Sequence, residues 1–401
     1  MVIGIINELK NPPDKRVVLS PDKCVELLEQ YPELSIKVES SDVRTFLDDE
    51  YRSAGIDVVD DISDCDILLG VKEVPIENLI EHKKYFFFSH TIKKQPYNRE
   101  LLNAILDKNI EMYDHEVLTD TSGNRVVAFG RYAGIVGGYN GIRAHGLKTN
   151  LFELPKAEEL KNQQELIVKL NSISLSAIKI VLTGKGRVSN GAKEMLDAMS
   201  IKEVNVDEYL TKDFNEPVYV QLDVLDYNKR FDGQVLGNKD FYKNPQDYQG
   251  DFMRFAAVSD LYISGHYYDD DAPFIFSRED AKSDNFKIKV VADISCDIDG
   301  PVACTLKPST IADPIYGYNP QTEQEQDYTN EETIAVMAVD NLPCELPQDA
   351  SVGFGDQFAK HVIPAFFNDD ESGILKRAQM TANGKLTERF SYLQNYVDGK
   401  E

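Results

Sequence analysis

"AIKIVLTGKGRVSNGAKEMLDAMSI", residues 177–201, is the stretch that decides the fold predicted from this sequence. An apolar run leads into Gly184 and Gly186, and a segment with helical spacing follows. The pattern predicts a strand, a glycine turn and a helix. Glycines let the backbone approach a pyrophosphate, and the N–H groups at the helix N-terminus then face it. Because Ser189 takes the third position of the G-x-G-x-x-G spacing, an ordinary tight turn is the alternative.

An acidic residue further along the chain strengthens the first interpretation. Asp207 lies in EVNVDEY (203–209), which we expect to be the next strand, and we place Asp207 at its end. An acid at that place accepts the ribose hydroxyls of a dinucleotide and disfavours a 2′-phosphate. The sequence therefore predicts NAD binding rather than NADP binding. The alternative is an exposed aspartate with no ligand.

Strands and helices alternate on both sides of this segment, which predicts an α/β fold with doubly wound parallel sheets. A length of 401 residues suits two domains. The predicted strands are VIGII (2–6), LSIKVES (34–40), CDILLGV (65–71), YFFFSH (85–90), IEMYDHE (110–116), VYVQLDVL (218–225), VSDLYISG (258–265) and FKIKVVADISCDIDG (286–300). Residues 130–150, which are rich in glycine and alanine, suit either a tightly packed helix or a hinge, and residues 226–250 are polar and rich in loop residues.

Basic side chains follow two neighbouring strands in the first third of the chain. Lys72 comes just after ILLG, His90 comes just after FFFS, and Arg16 follows the first strand. Open α/β sheets bind ligands at the carboxyl ends of their strands. An arginine can hold a carboxylate through two hydrogen bonds, and a histidine can exchange a proton near neutral pH. The alternatives are a solvated loop lysine and a packed histidine.

The overall charge narrows the possible partners. The formal net charge is −25, which disfavours nucleic acid and anionic membranes and means that an anionic substrate needs a local basic pocket. The five cysteines form no C-x-x-C pair, and no cluster has the spacing of a metal site. We found no signal-peptide pattern and no apolar run of roughly 18 residues. These features predict a soluble cytoplasmic protein without a metal, whose oligomeric state the sequence leaves open.

Several longer motifs resemble the alanine dehydrogenase/pyridine nucleotide transhydrogenase superfamily, and within it the saccharopine dehydrogenases and the related lysine–ketoglutarate reductases. The motifs occur in the order of that family and span nearly the whole chain. They are RVVLSP (16–21), GVKEVP (70–75), FSHTIKK (88–94), RVVAFGRYAGIVGG (125–138), GRVSNGA (186–192), VVADISCDIDG (290–300), TIADPIYGYNP (310–320) and VDNLPCELPQDAS (339–351). We found no counterpart for residues 226–250.

The resemblance implies two Rossmann-like domains separated by a cleft, with the NAD-binding domain (141–340) inserted into a substrate domain (1–140 plus 341–401). It also implies an NAD-dependent oxidoreductase that acts on an amino acid and a 2-oxo acid. Lys72 and His90 match the catalytic pair, and Arg16 matches a carboxylate-binding arginine. The other implied substrate-binding residues are Lys93, Glu116, Arg125 and Arg131. The implied cofactor-binding residues are Gly184, Gly186, Arg187, Val188, Asp207, Asp297, Asp340 and Leu342.

Two alternatives share most of these features. An alanine dehydrogenase has the same fold and the same lysine–histidine pair, but its pocket needs to hold only one carboxylate and a methyl group. Saccharopine has three carboxylates, for which Lys93, Arg125 and Arg131 offer extra positive charge. A non-catalytic, transhydrogenase-like NAD(H)-binding module is the other alternative, and the presence of both Lys72 and His90 argues against it.

Overall fold

The protein was analysed as a computed structural model, which describes residues 1–400. The chain forms two compact units. Unit 1 comprises Met1–Phe129 and the chain from Pro347 onward, and unit 2 comprises Gly130–Leu346.

Unit 1 is built on a six-stranded parallel sheet in the order β3-β2-β1-β4-β5-β6. Its strands β4 and β5 are the short apolar runs that precede Lys72 and His90, and Leu69 pairs with Phe86 between them. Helices connect β1 to β2, β2 to β3 and β5 to β6, whereas no helix lies between β3 and β4 and only a 3-10 turn (Ile76–Asn78) lies between β4 and β5. The elements are β1 (Val2–Ile5), α1 (Pro21–Gln30), β2 (Ser35–Glu39), α2 (Asp48–Ser53), β3 (Asp57–Val59), β4 (Ile67–Leu69), β5 (Lys84–Phe87), α3 (Arg99–Asp107) and β6 (Glu111–Asp114).

Unit 2 contains an eight-stranded sheet in the order β15-β14-β16-β13-β12-β7-β9-β8. Strands from β16 to β8 are parallel, and β14 and β15 extend one edge with antiparallel pairing. The elements are α4 (Gly130–Thr149), α5 (Gln163–Leu170), β7 (Lys179–Thr183), α6 (Arg187–Ala198), β8 (Lys202–Glu203), α7 (Val206–Thr211), β9 (Val218–Leu222), β10 (Asn228–Arg230), α8 (Asn238–Lys243), β11 (Tyr248–Gly250), α9 (Met253–Ala256), β12 (Leu261–Ser264), α10 (Arg278–Lys282), β13 (Val290–Asp293), β14 (Ile315–Asn319), β15 (Gln324–Gln326) and β16 (Ile334–Met337).

The parallel Rossmann-type sheets predicted from the sequence are confirmed in both units. The predicted domain boundary after residue 140 falls inside helix α4.

The C-terminal part of the chain packs onto unit 1. It comprises α11 (Pro347–His361), α12 (Ile374–Ala378), β17 (Thr381–Ala382), β18 (Lys385–Leu386) and α13 (Gln394–Val397). The hydroxyl of Ser351 accepts a hydrogen bond from the amide of Val17 at 2.9 Å, and that of Thr381 accepts one from the amide of Met112 at 3.0 Å. These contacts attach the chain end to the sheet that carries Lys72 and His90.

The glycine-rich stretch 130–150 forms a helix that packs closely against a neighbour. A Cβ atom on Gly134 of α4 would lie 1.8 Å from the carbonyl oxygen of Val188, and one on Gly191 of α6 would lie 2.0 Å from that of Arg131. Backbone atoms of α4 and α6 therefore meet at distances that only glycine permits. Of the two interpretations of this stretch, the structure supports the packed helix.

Residues 1–400 contain neither a membrane-spanning helix nor a cluster of metal ligands. No helix there is long and apolar enough to cross a bilayer. No group of three or more His, Cys, Asp and Glu side chains in this part of the chain could hold a metal ion.

The contact between α4 and α6 generates a prediction about stability. Gly134→Ala should lower the free energy of unfolding of unit 2 by about 3 kcal/mol or more, because the two backbones must separate to admit a methyl group. Gly237→Ala is the matched control, since a Cβ there meets nothing within 4 Å. Urea denaturation followed by circular dichroism measures both. Equal effects of the two substitutions would contradict the role given to this contact.

Candidate active site

The carboxyl ends of β1, β4, β5 and β6 lie at one edge of the unit 1 sheet, because these strands are parallel neighbours. Ionisable side chains follow each of these strands within a few residues. They are Glu8 and Lys10 after β1, Lys72 and Glu73 after β4, His90 after β5 and Glu116 after β6. The order of the strands therefore gathers residues that are far apart in the sequence.

Glu73 joins two of these strand ends. Its Oε1 lies 2.6 Å from Nδ1 of His90, and its Oε2 accepts a hydrogen bond from Nζ of Lys10 at 2.6 Å. Burial raises the pKa of Glu73, but the hydrogen bonds from His90 and Lys10 outweigh burial and hold that pKa at about 2. His90 adopts a left-handed backbone conformation with φ of 55°, which is uncommon outside glycine. The imidazole is thus held by a carboxylate that stays ionised at neutral pH.

Glu8 holds the main chain at Lys72. Its carboxylate oxygens accept hydrogen bonds from the amides of Val71, at 2.5 Å, and of Lys72, at 3.0 Å. The side chain is buried, and burial raises its pKa to about 8 in spite of these two amide donors. At neutral pH Glu8 therefore carries a proton and adds no negative charge to the site.

Arg16 is buried and holds a carboxylate of its own chain. Its Nε and Nη2 donate to the two oxygens of Asp14 at 3.0 and 2.6 Å, and its guanidinium lies 4.2 Å from the centre of the Phe129 ring. Burial raises the pKa of Asp14, but the charge of Arg16, its hydrogen bonds and the charge of Lys72 bring that pKa to about 2. The structure brings Arg16, Asp14 and Lys72 together, and substrate binding by Arg16 stays a prediction.

The other predicted substrate-binding residues fall into two groups. Glu116 lies between Nζ of Lys93 at 3.5 Å and Nη1 of Arg125 at 3.8 Å, all in unit 1. The guanidinium of Arg125 also lies over the ring of Phe88. Arg131 belongs to unit 2, where it makes a bidentate ion pair with Glu194 on α6. The structure therefore does not group Arg131 with Lys93 and Arg125 within one unit.

Unit 2 has a cavity of about 310 Å³ at the glycine turn between β7 and α6. Gly184 has φ of +94°, and a Cβ there would lie 2.6 Å from the carbonyl oxygen of Gly265. A Cβ on Gly186 would meet nothing within 4 Å, so this turn leaves open space at the start of α6. The cavity is lined by Gly184, Lys185, Gly186, Arg187, Val188, Asp223, Val224, Tyr227, Tyr242, Gly265, His266 and Tyr267. A glycine turn that opens into a cavity at a helix N-terminus fits a dinucleotide.

The predicted position of Asp207 is wrong. Strand β8 ends at Glu203, and Asn205 then caps α7, so Asp207 lies exposed in the first turn of a helix. The strand that pairs with β7 is β9, and Asp223 follows it directly. Asp223 lines the cavity with the glycine turn and occupies the place that the sequence analysis gave to Asp207.

The remaining predicted cofactor residues differ in burial. Burial, together with the charges of Asp293 and Asp270, raises the pKa of Asp297 to about 6. Asp340, which follows β16, is exposed, whereas Leu342 is buried in unit 2. Asp293 ends β13 and accepts hydrogen bonds from the hydroxyls of Ser295 and Thr305. Cofactor contacts by Asp297, Asp340 and Leu342 stay predictions.

Four residues of these two sites were missed in the sequence analysis. Glu8, Lys10 and Asp14 lie in NELKNPPDKR (7–16), from which the sequence analysis takes only Arg16, and Asp223 ends the run VYVQLD. All four come soon after a strand whose carboxyl end faces the site. Their nearness to predicted strands is a signal in the sequence, but only the folded sheets show that these strand ends meet at the two sites.

Comparisons with known proteins show which proteins this chain resembles. Residues 4–136 match the family model described as alanine dehydrogenase/PNT, N-terminal domain. The chain is 28% identical over 414 residues to the mitochondrial alpha-aminoadipic semialdehyde synthase of Mus musculus, covering 91% of this chain and 45% of the mouse protein. It is 24% identical over 366 residues to the saccharopine dehydrogenase [NAD(+), L-lysine-forming] of Yarrowia lipolytica, covering 86% of this chain and 87% of that protein. A solved L-alanine dehydrogenase matches with a TM-score of 0.65 at 17% identity, covering 99% of both chains, which shows a shared fold. The chain thus spans less than half the length of the mouse protein.

The buried carboxyl group of Glu8 generates a prediction about pH. The folded chain keeps a proton on Glu8 that the unfolded chain releases between the usual pKa of 4.5 and the raised pKa of about 8. The contribution of Glu8 to stability should therefore fall as the pH rises through this window, by up to about 1.4 kcal/mol per pH unit. Glu8→Gln cannot ionise, so its free energy of unfolding should fall less steeply from pH 5 to pH 8 than that of the unchanged protein.

Urea titrations at several pH values measure this difference. Glu29→Gln, at an exposed position of α1, is the control for removing a carboxylate. Parallel curves for Glu8→Gln and the unchanged protein would show that Glu8 is already ionised at pH 5.

Proposed function

We propose that this chain, whose residues 4–136 match the alanine dehydrogenase/PNT N-terminal domain model, is an NAD-dependent amino-acid dehydrogenase of the saccharopine type. The reaction would be saccharopine + NAD⁺ + H₂O to lysine + 2-oxoglutarate + NADH + H⁺. Similarity to the Yarrowia lipolytica saccharopine dehydrogenase over most of both chains supports this substrate class. The similarity to the longer mouse synthase points to the same group of proteins.

The observation that carries the proposal is the pair formed by Glu73 and His90. Lys72 is the residue before Glu73 in the chain. A carboxylate that accepts a hydrogen bond from Nδ1–H fixes the tautomer of the imidazole. Nε2 is then left to exchange a proton with a substrate. The buried carboxyl group of Glu8 accepts hydrogen bonds from the amides of Val71 and Lys72, and these bonds fix the end of the strand that carries Lys72.

These groups suit the proton transfers that oxidation of a secondary amine requires. The amine must be neutral before hydride can leave the adjacent carbon, and Nε2 of His90 is the proposed acceptor of its proton. Lys72 is the proposed second proton carrier, for the addition of water to the resulting imine and the release of lysine. Bound NAD⁺ would take up the hydride. The residues of the chain would hold the substrate and move the protons.

Positive charge at the site suits the carboxylates of the substrate. Lys93 and Arg125 both approach Oε1 of Glu116, so a substrate carboxylate there would find two cations near one anion. Arg16 would act through a buried guanidinium that Asp14 already orients. We retain Arg131 as a candidate from the sequence only.

The cavity of unit 2 is the proposed NAD site. Gly184 and Gly186 would let the backbone approach the pyrophosphate, with Arg187 and Val188 at the start of α6 beside it. Asp223 would accept the hydroxyls of the adenosine ribose and repel a 2′-phosphate, which favours NAD over NADP. We infer these roles from the turn, the cavity and the acid that follows the neighbouring strand.

A substrate panel tests the proposed reaction. We expect NADH to form when the protein receives NAD⁺ and saccharopine, and to be consumed with lysine and 2-oxoglutarate, because the site combines a proton-transfer pair with several cations. Consumption of NADH with pyruvate and ammonia alone would instead indicate an alanine dehydrogenase. Binding of NADH without turnover of any amine would indicate a non-catalytic module.

Substitutions at the two sites should separate chemistry from cofactor binding. His90→Ala should lower kcat by roughly 10²- to 10⁴-fold, the usual range for loss of a general acid–base group, and leave the Kd for NADH nearly unchanged. Asp223→Ala should raise the Kd for NADH by roughly ten- to a hundredfold, because hydrogen bonds to an ionised group are lost. Fluorescence titration and steady-state kinetics measure the two effects. Asp207→Ala is the control, and a loss of NADH affinity there equal to that of Asp223→Ala would refute the corrected assignment.

A further inference from the structure

Residues 226–250, for which the family motifs offered no counterpart, fold beside the cavity of unit 2. Strands β10 and β11 pair antiparallel, with Lys229 opposite Gln249, and α8 lies between them in the sequence. A short 3-10 turn, Val224–Asp226, connects this segment to Asp223 at the end of β9. We call residues 226–250 the β10–β11 segment.

Specific contacts fix the shape of the β10–β11 segment. The guanidinium of Arg230 reaches three carboxylates, those of Asp232 at 3.0 Å, Asp240 at 2.7 Å and Asp247 at 3.3 Å. The hydroxyl of Tyr248 also donates to Asp240, at 2.8 Å. One planar cation that holds three points of the chain restricts it more than isolated surface pairs would.

Aromatic packing fixes α8 in the same way. Phe241 is buried, and its ring meets that of Tyr248 edge-on at 5.0 Å between centroids. Phe241 and Tyr248 both belong to the hydrophobic core of unit 2. Helix α8 is thus anchored through Phe241, and its neighbour Tyr242 is presented from a fixed support.

Helix α8 also contacts the acid proposed to bind ribose. Nδ2 of Asn238 donates to Oδ1 of Asp223 at 2.8 Å, and the amide of Val224 donates to the same oxygen at 2.7 Å. An amide side chain and a backbone amide thereby set the orientation of the carboxylate. The β10–β11 segment therefore acts on the residue that separates NAD from NADP in the proposed function.

Tyr242 lines the cavity together with the glycine turn and Asp223, yet 52% of it remains exposed. Burial and the nearby charge of Asp223 raise its pKa, so the ring is a neutral phenol at physiological pH. A large aromatic surface that faces a cavity is suited to stack on a planar base. In the proposed function, Asp223 binds the adenosine ribose. The base next to that ribose is adenine rather than nicotinamide, so adenine would lie against Tyr242.

We propose that the β10–β11 segment forms the adenosine wall of the cofactor site, with the ring of Tyr242 stacking on the purine and Asn238 orienting Asp223. This inference rests on the proposed NAD-binding function of unit 2. It adds a base-binding surface to a site otherwise defined by the glycine turn and one acid.

Binding measurements on the intact chain test the wall. The ligands are NADH, ADP-ribose, which contains adenosine, and reduced nicotinamide mononucleotide, which lacks it. Tyr242→Ala should weaken the binding of NADH and of ADP-ribose by roughly ten- to a hundredfold, which is the range for loss of one stacked base. The affinity for the mononucleotide should not change. Tyr242→Phe keeps the ring and should retain near-normal affinity. Tyr392→Ala in unit 1, at a tyrosine that is 53% exposed, is the matched control and should change nothing.

The outcomes separate this inference from the function beneath it. If the unchanged protein binds NADH and Tyr242→Ala binds it equally well, the proposed adenosine wall is wrong and the proposed NAD site stands. Equal losses in Tyr242→Phe and Tyr242→Ala would overturn stacking, as would an equal loss for the mononucleotide. Failure of the unchanged protein to bind any of the three ligands would overturn both proposals.

Discussion

The hydrogen bond between Glu73 and His90 connects the ends of two adjacent parallel strands, and the proposed chemistry depends on it. The two atoms lie 2.6 Å apart, which is short for a hydrogen bond from nitrogen, and bonds to an ionised carboxylate are shorter than neutral ones. Its position follows from the pairing of β4 with β5, since Leu69 lies opposite Phe86 and the residues beyond each strand then emerge side by side. A shift of one residue between these strands would reverse the side to which each chain end points.

The charges around this bond fall into two groups. Lys10 shares the Glu73 carboxylate with His90, while Arg16 holds Asp14, on which Lys72 also acts. Glu8 adds no charge at neutral pH, because burial raises its pKa to about 8. Three cations therefore face two carboxylates at this edge of the sheet. A local excess of positive charge on a chain with a net charge of −25 suits an anionic amino-acid substrate.

The sequence predicted the parallel sheets and the positions of Lys72 and His90 because short apolar runs, each followed by a turn, mark buried parallel strands clearly. It misplaced Asp207, because EVNVDEY has an apolar pattern that fits a strand, while Asn205 in fact caps a helix. The strand order of unit 2 could not be predicted from the sequence. The pairing of β9 with β7, which places Asp223 at the cavity, was therefore not predicted either. Glu8 and Asp14 were missed for a similar reason, since only the folded sheet shows that the loop after β1 meets the ends of β4 and β5. The partners of Arg16 and Arg131 likewise depend on tertiary contacts that no local pattern specifies.

The most direct test of this account is the tautomer of His90, which ¹⁵N chemical shifts of the imidazole report in solution. Comparison of spectra from the unchanged protein and from His90→Ala assigns the signal among the six histidines of the chain. If Glu73 holds the imidazole as the structure shows, neutral His90 carries its proton on Nδ1 and Glu73→Leu abolishes this preference. A neutral imidazole with its proton on Nε2, or a tautomer that is indifferent to Glu73, would contradict the account.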